Sequence, residues 1–308
     1  MQEVAFTYEG FQLEIQSDTH DYISGCICSS GTFYEVNMLE AISANFPQNT
    51  VLDVGANIGN HSLYLAKFTS ATTIHAFEPM PRSFEHLSSN MKRNGCENVI
   101  LHNGALSDSS GVAKMDFPDP TNQGMAKFSE EGIEVQVIRL DDINLEKVSL
   151  IKIDVEGHEL SVLRGGSETI RKNRPHLYIE IQNENLLSEV EDFLFELGYF
   201  RGRVYNSTPT YAFHPIPHIE GEVTPKDVKV LEAQRMSFDT NVETINKHWK
   251  QRYRSLELER NKLVAENNKL QLRLDRVLGS TSWRITSPMR HLLKFVKDRC
   301  RSTYKWFS

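Results

Sequence analysis

The loop Asp53-Val-Gly55-Ala-Asn57-Ile-Gly59 has the residue types of a ligand-binding turn between a strand and a helix. Gly55 and Gly59 allow a backbone turn tight enough for a ligand to approach the main chain where the first strand of an open α/β sheet ends. Asp53 is placed to engage the amino-acid portion of a ligand, directly or through water. The amide of Asn57 is placed to hold the loop or a ligand carboxylate. A purely structural tight connection is the alternative interpretation of this loop alone.

A second acid follows at the end of the next expected strand. Glu78 lies 25 residues after Asp53, and a carboxylate there can accept hydrogen bonds from both hydroxyls of a ribose. Pro79 then begins the following helix. The loop lacks the G-x-G-x-x-G register of phosphate-binding loops and contains no Lys or Arg. These features favour a cofactor with an adenosine, a sulfonium and no phosphate, S-adenosyl-L-methionine (SAM).

Two further turns follow later expected strands. After the third strand, Asn103-Gly-Ala105 forms a small polar turn that can admit a flat adenine and hydrogen-bond its edge. After the next long strand, Asp154, Glu156 and Glu159 place three carboxylates in six residues. They are costly to bury unless a cation, a hydrogen-bond donor or a substrate hydroxyl meets them.

Short β-rich runs alternate with helical stretches from Thr50 onward, which predicts an α/β fold with a Rossmann-like parallel sheet and crossover helices. The expected strands are Val51–Val54, Ile74–Phe77, Val99–His102, Leu150–Asp154 and Leu177–Ile181; the expected helices are Asn60–Lys67, Arg82–Arg93, His158–Lys172 and Leu186–Leu197. A hairpin (Val4–Tyr8 with Phe11–Ile15) and a helix (Tyr34–Asn45) are expected before them, and the insertion Val112–Leu140 is expected to form an antiparallel pair with a loop over one edge.

The predicted domains are an N-terminal extension (1–49), a cofactor-binding domain (50–214), a linker (215–226), a long helix (227–278) and a tail (279–308). Apolar residues recur every seven positions in the long helix at Leu256, Leu263, Leu270 and Val277, which predicts a coiled coil and homo-oligomerisation. A lone amphipathic helix packed on the catalytic domain is the alternative.

The tail has seven Lys or Arg, one acid and five aromatic residues. A basic, amphipathic helix of this kind is expected to lie on an anionic membrane surface, with a solvated tail or a nucleic-acid contact as alternatives; no specific nucleic acid is expected. The whole chain has 308 residues, a formal net charge of -7 and four scattered cysteines. Without a cysteine framework or an export signal, we expect a cytoplasmic protein, peripheral at the inner face of the cytoplasmic membrane.

Taken in order, these motifs resemble the FkbM family of methyltransferases. The resemblance rests on Val51–Gly59, Phe77-Glu78-Pro79, the Asn103–Ser107 turn and above all Lys152-Ile-Asp-Val-Glu-Gly-His-Glu159 followed by Leu163-Arg-Gly165. It implies a class I methyltransferase sheet and O-methylation, commonly of sugars or secondary metabolites. It also implies that Asp53, Gly55, Asn57 and Glu78 bind the cofactor and that Asn103 and Ala105 flank its adenine. From the loop itself, Gly59 is expected to belong to the same cofactor site. The segment Leu278–Pro288 resembles the ends of bacterial surface-polysaccharide enzymes, which suggests a sugar or glycan acceptor.

Methyl transfer to a hydroxyl requires alignment of oxygen, carbon and sulfur and removal of the hydroxyl proton. Asp154 is the first candidate base, His158 the second and Glu156 the third. Structural alternatives remain: His158 belongs only to the first turn of a helix, Glu159 caps that turn, and Lys152 pairs with a neighbouring acid. A Mg²⁺ ion held by Asp154, Glu156 and Glu180, with Asn183 nearby, is a further hypothesis.

Two other functional classes fit parts of the pattern. A nicotinamide-dependent oxidoreductase shares the sheet and the acid at Glu78, but its phosphate-binding glycine register is absent here. A non-catalytic scaffold that senses the cofactor and recruits polysaccharide enzymes to the membrane is the other alternative. The sequence does not identify the acceptor, although Phe33, Tyr34, Phe117 and Phe128 are candidates for stacking on a sugar ring.

Overall fold

A computed structural model describes residues 1–19, 21–45, 49–116 and 127–216, together with Lys269. Met1–Pro217 form one compact unit. The predicted long helix (227–278) and tail (279–308) lie outside the described residues, apart from Lys269, so the coiled coil and the membrane-binding tail remain predictions. The described part has no helix that is both long and apolar enough to cross a membrane.

Seven strands form the central sheet. In order across it they are β12 (Tyr199–Tyr205), β13 (Thr210–Pro215), β11 (His176–Glu180), β10 (Val148–Ile153), β3 (Thr50–Val54), β4 (Thr73–Phe77) and β5 (Val99–His102). The five strands from β11 to β5 are parallel, whereas β13 is antiparallel to both of its neighbours. The order places β3 and β10 in the middle, so that their carboxyl ends form the crevice expected of an open α/β sheet. The α/β prediction is confirmed.

Helices cover both faces of the sheet. They are α1 (Tyr22–Ser30), α2 (Val36–Asn45), α3 (Asn60–Phe68), α4 (Pro81–Arg93), α5 (Glu159–Gly165), α6 (Ser167–Asn173) and α7 (Glu184–Glu196). The predicted helix His158–Lys172 is wrong as one element, because it divides at Gly166. A Cβ at Gly166 would lie 2.7 Å from Leu140 Cδ2. Gly166, where α5 ends and α6 begins, therefore packs closely on the side chain of Leu140.

The N-terminal extension packs on the cofactor-binding part of the domain. Its hairpin is β1 (Gln2–Tyr8) and β2 (Phe11–Ser17), as expected, but α1 was not predicted and the next helix begins at Val36 instead of Tyr34. Asn90 of α4 joins the hairpin to the domain, since its side chain bonds the backbone N–H and carbonyl of Gln16 and also the carbonyl of Ile58 in the cofactor loop. The side-chain amide of Asn90 thus holds both the N-terminal extension and the cofactor loop.

The insertion forms more than the expected antiparallel pair. Its sheet has the order β6 (Ala105–Ser107), β9 (Ile133–Arg139), β7 (Gly111–Asp116) and β8 (Lys127–Ser129). β7 is antiparallel to β8 and β9, but Ala105–Ser107 adds a parallel strand. The turn expected to admit adenine therefore continues directly into this second sheet. Residues 117–126, including Phe117, lie outside the described residues.

Strands β12 and β13 were also not predicted. The sequence of β12, Tyr-Phe-Arg-Gly-Arg-Val-Tyr, lacks a continuous apolar run. Arg201 is nevertheless mostly buried, because its guanidinium lies 2.5 Å from Glu191 of α7 and over the ring of Tyr211. Because Arg201 is buried through its pairing with Glu191 of α7, the sequence of β12 alone does not show the apolar pattern of a buried strand.

Candidate active site

The cofactor loop closes against two neighbouring strands. The backbone N–H groups of Gly55 and Ala56 both donate to the carbonyl of Phe77, at the end of β4. Gly55 has φ +79°, and a Cβ on it would lie only 1.8 Å from the carbonyl oxygen of Asp154. This position requires glycine on both counts, because the left-handed backbone and the close approach each exclude a side chain.

Gly59, at the end of the cofactor loop, also packs against α4. Its φ is +91°, and a Cβ there would lie 2.7 Å from Leu87 Cδ1 and 2.9 Å from Met91 Cε. Both contacts are with the buried face of α4. Gly59 therefore allows α3 and α4 to pack closely, and its effect on a ligand is through the shape of the loop.

Glu78 is held at the wall of the crevice by the cofactor loop itself. Its Oε2 accepts from the backbone N–H of Asn57, and its Oε1 accepts from that of Met80, both at 2.8 Å. Burial raises the pKa of Glu78 to about 7, against the opposing effect of these two hydrogen bonds. Asn57 thus contributes its main chain, at a left-handed φ of +49°, to the placement of this carboxylate.

Asp53 and Lys152 form a buried pair beneath the loop. Lys152 Nζ lies 3.4 Å from Asp53 Oδ1, 3.3 Å from Asp154 Oδ2 and 3.2 Å from the carbonyl oxygen of Gly55. Asp53 is fully buried, and its other oxygen accepts from Ser62 Oγ at 2.6 Å. Burial tends to lower the pKa of Lys152, but the surrounding acids outweigh it and the pKa is raised, so the lysine stays charged. The pairing of Lys152 with a neighbouring acid is confirmed.

One cavity connects the ends of these strands and encloses about 830 Å³, part of it open solvent. Of the predicted site residues, Gly55, Asn57, Glu78, Ala105, Asp154, Glu156 and His158 line it. Asp53 lies beneath the loop, and Asn103 is exposed, with its amide donating to the carbonyls of Glu78 and Pro79. Asn103 therefore supports the Glu78 turn, whereas Ala105 and its neighbour Leu106 form part of the wall.

Three carboxylates meet where β10 and β11 end. Asp154, Glu156 and Glu180 each offer one oxygen within 4.8 Å of the others. Gln182 Nε2 donates to both Glu156 and Glu180, at 3.2 and 3.3 Å. Burial, and then the charge of Asp154, raises the pKa of Glu156 and raises that of Glu180 to about 8. Asn183 caps α7 by accepting from the backbone N–H groups of Asn185 and Leu186.

The turn after β10 holds the remaining candidates. His158 packs edge-on against Phe128, with 4.4 Å between ring centroids, and burial followed by the charge of Lys127 lowers its pKa. Glu159 is buried and its Oε1 accepts from the backbone N–H of Gly157 at 2.9 Å, which confirms its predicted structural role in this turn. His158 is therefore the neutral, cavity-lining member of the turn and Glu159 is its internal support.

Several lining residues were not predicted from sequence. Ile23 comes from the N-terminal extension, Asn60 and His61 from the first turn of α3, and Met115 from the insertion. Tyr34 and Phe128, which were suggested as sugar-stacking residues, both line the cavity, but Phe33 is in the core. Periodicity identifies core positions, and it gave no signal that the extension folds over the crevice.

The strand order, the loop and the acid at the end of β4 together define a class I methyltransferase domain. Residues 53–201 match the family described as the methyltransferase FkbM domain. This match, within residues 53–201, confirms the resemblance that the sequence motifs indicated.

Three curated relatives illustrate the similarity. Methyltransferase 1 of Beauveria bassiana is 35% identical over 40% of this chain and 60% of its own length. Hexuronic acid methyltransferase AglP of Haloferax volcanii is 33% identical over 39% of this chain and 50% of its own length. 2-O-methyltransferase NoeI of Sinorhizobium fredii is 28% identical over 58% of this chain and 81% of its own length. The chain thus spans only half to three-fifths of the length of the first two.

Proposed function

We propose that this protein transfers a methyl group from SAM to a hydroxyl group of a sugar or glycan. The observation that carries the proposal is the buried carboxylate of Glu78, which the cofactor loop holds at the wall of a cavity across the ends of β4, β3 and β10. The similarity to AglP, a hexuronic acid methyltransferase, and to NoeI, a 2-O-methyltransferase, supports the choice of acceptor class.

The chemistry of the cavity lining fits SAM from one end to the other. Ala105, Leu106 and Phe77 supply an apolar wall suited to adenine on the β5 side. Glu78 can accept from the ribose hydroxyls, and the polar ends of β3 and β10 suit the amino-acid portion. When bound, SAM supplies a methyl carbon activated by a sulfonium.

Asp154 is the first candidate for removing the hydroxyl proton. It lines the cavity, and Lys152 Nζ lies 3.3 Å from its Oδ2, which fixes the direction of the carboxylate. His158 and Glu156 stay second and third. His158 is neutral and able to take a proton, whereas the raised pKa of Glu156 makes it a stronger base but reduces its ionised fraction.

Methyl transfer from labelled SAM to a panel of hexoses and hexuronic acids, free and as glycosides, tests this function. A product with the added mass of one methylene is expected, and Asp154→Asn should lower kcat by about 10²-fold or more while retaining cofactor binding. Asp142→Asn, at an exposed position that hydrogen-bonds Ser110, is the matched control and should be unaffected. Full activity in Asp154→Asn would exclude Asp154 as the base.

Calorimetry separates this proposal from the two alternatives. The domain should bind S-adenosylhomocysteine (SAH) and not NAD; binding of NAD alone would favour the oxidoreductase. Binding of SAH without turnover of any acceptor in the panel or in extracts of cell-surface glycans would favour the cofactor-sensing scaffold.

A Mg²⁺ ion at Asp154, Glu156 and Glu180 is a finer part of the proposal, supported by three carboxylates within 4.8 Å. Hard oxygen ligands of this kind suit Mg²⁺. Chelation of divalent ions should then abolish turnover, and added Mg²⁺ should restore it. Unchanged turnover after chelation would exclude an exchangeable catalytic ion and leave Gln182 as the group that bridges Glu156 and Glu180.

The C-terminal segments 227–278 and 279–308 were predicted to mediate self-association and membrane contact. We propose a role in surface-polysaccharide biosynthesis at the inner face of the cytoplasmic membrane, with self-association through 227–278 and membrane contact through 279–308. Sedimentation of the full chain, and of a chain ending at 226, with and without anionic vesicles tests both contacts.

A further inference from the structure

The N-terminal extension is fastened to the first turn of α3 at Tyr34 and Glu35. The backbone N–H of Tyr34 donates to Asn60 Oδ1 at 3.1 Å, and Asn60 Nδ2 donates back to the carbonyl of Tyr34 at 3.0 Å. Glu35 follows with a left-handed φ of +60°, and its carbonyl accepts from the backbone N–H groups of Met38 and Leu39. A non-glycine residue in this conformation is strained, so its surroundings must hold it there.

The strained backbone brings the carboxylate of Glu35 against the imidazole of His61. Glu35 Oε2 lies 3.1 Å from His61 Nε2, and the two side chains are only 6% and 9% exposed. The second oxygen of Glu35, Oε1, is buried and has no hydrogen-bond partner among the described residues. The pair is a salt bridge when the imidazole carries a proton. His61 also lines the cavity, so it stands between the buried acid and any ligand.

The direction of the cofactor in the cavity follows from the sheet order. Glu78, for the ribose, is at the end of β4, and the apolar wall for adenine continues from β5. The amino-acid portion must then extend the other way, toward the end of β3 and the first turn of α3. The first amides of a helix have no partners within it and favour an anion, which suits the carboxylate of that portion.

A helix terminus alone does not identify a carboxylate site. The second observation is which basic side chain of the cavity lining is left to meet a carboxylate. Among the described lining residues, three side chains can carry a positive charge: Lys152, His61 and His158. Lys152 already meets Asp53, Asp154 and the carbonyl of Gly55. His158 lies beside Phe128, and the nearby charge of Lys127 disfavours its protonation. His61 is the remaining side chain that can carry a positive charge, and it belongs to the first turn of α3.

We propose that His61, held by Glu35, binds the carboxylate of the methionine portion of SAM at the first turn of α3. Glu35 is a positioning residue in this arrangement, because it acts through the imidazole. The N-terminal extension is then part of the cofactor site and supplies the acid that orients the imidazole of His61. This inference rests on the proposed function, since it takes SAM as the ligand.

Two ligands isolate the contact without any need for the acceptor. SAH carries the amino-acid portion, whereas 5′-methylthioadenosine has the same adenosine and lacks the carboxylate. Calorimetry of the full chain should show that His61→Asn and Glu35→Gln each weaken SAH by about tenfold, equivalent to ~1.4 kcal/mol. Both variants should bind 5′-methylthioadenosine within about twofold of the unmodified protein, because its contacts are untouched.

The chain offers a matched control in a second histidine and carboxylate pair. His86 Nε2 of α4 lies 3.3 Å from Asp18 Oδ1 of the extension, with comparable burial of the histidine, away from the cavity lining. His86→Asn should leave the affinities for both ligands unchanged. Equal weakening of both ligands by His61→Asn would reduce the pair to a structural fastening, and unchanged SAH affinity would overturn the proposal. If the unmodified protein bound neither ligand, the proposed function itself would fail.

Discussion

The two ends of the central sheet bury polar groups in opposite ways. At the carboxyl ends of the strands, Asp53 and Lys152 are buried as a charged pair. At the opposite end of the sheet, His176 at the start of β11 and His214 near the end of the antiparallel strand β13 face each other with 2.9 Å between their Nδ1 atoms. Burial lowers the pKa of His176 to about 4 and that of His214 to about 3, so this pair is neutral at ordinary pH.

The charged pair and the neutral pair differ in what it costs to bury them. A neutral pair can share one proton as a donor and an acceptor, and it satisfies its own polarity without an ion. Buried ions cost several kcal/mol each unless geometry and hydrogen bonds compensate. Lys152 and its acids lie at the end of the sheet that faces the cavity, where Lys152 also touches the cofactor loop at Gly55. Arg201 of β12 and Glu191 of α7 form a further, mostly buried ion pair among the described residues. Variants at each end of the sheet test this contrast between a buried ion pair and a buried neutral pair.

Replacing Lys152 by Met should have the largest effect, because it leaves Asp53 buried without its cation. We expect a loss of about 3–5 kcal/mol in the free energy of unfolding, measured by urea denaturation. Lys172→Met, which removes an exposed lysine paired with Glu146, should cost less than about 1 kcal/mol.

A double variant separates the charge from the shape of Lys152. Adding Asp53→Leu to Lys152→Met removes both ions and should recover part of the lost stability, because an unpaired buried charge is the main cost. If Lys152→Met alone were as stable as the unmodified protein, the contrast between the two ends of the sheet would be lost.

The neutral pair at the other end should make the protein sensitive to acid. Because the folded-state pKa values of His176 and His214 lie below the ordinary value of about 6.5, the unfolded chain takes up protons first as the pH falls. Their contribution is complete above about pH 6.5 and declines toward about pH 4, by about 3 kcal/mol for one such histidine.

Urea denaturation of the unmodified protein and of His176→Phe across this pH range measures the effect. The variant should lose less stability than the unmodified protein between about pH 6.5 and about pH 4, since one of the two neutral histidines is absent. Parallel pH curves for the two proteins would show that the pair does not control the acid response.

The sequence predicted one end of the sheet better than the other. Asp53, Gly55 and Glu78 stand directly after apolar runs, and the carboxyl ends of parallel strands always meet at one edge, so their proximity could be predicted. His176 and His214 meet because β13 turns back antiparallel beside β11. The apolar and polar pattern of a short segment cannot predict a pairing between residues so far apart in the chain.

The same limit applies within the candidate site. Apolar periodicity predicted the helix after Gly59 but not that Glu35, on a separate segment, would reach His61. Asp53 and Gly59 were predicted to bind the cofactor; in the structure Asp53 pairs with Lys152, and Gly59 packs on α4. Sequence spacing indicates which residues gather at an edge, whereas burial and strand order decide which of them meet the ligand.

The smallest expected effect concerns Glu78, whose pKa burial raises to about 7. Only the ionised carboxylate can accept from both ribose hydroxyls, so affinity for an adenosine ligand should rise between about pH 6 and about pH 8, by up to about tenfold. 5′-Methylthioadenosine is the right probe, because it carries the ribose and avoids the proposed contact with His61. Calorimetry should show this rise in the unmodified protein and a weak, pH-independent affinity in Glu78→Gln. A rise that persists in Glu78→Gln would assign the titration to another group and remove the buried acid from the ribose site.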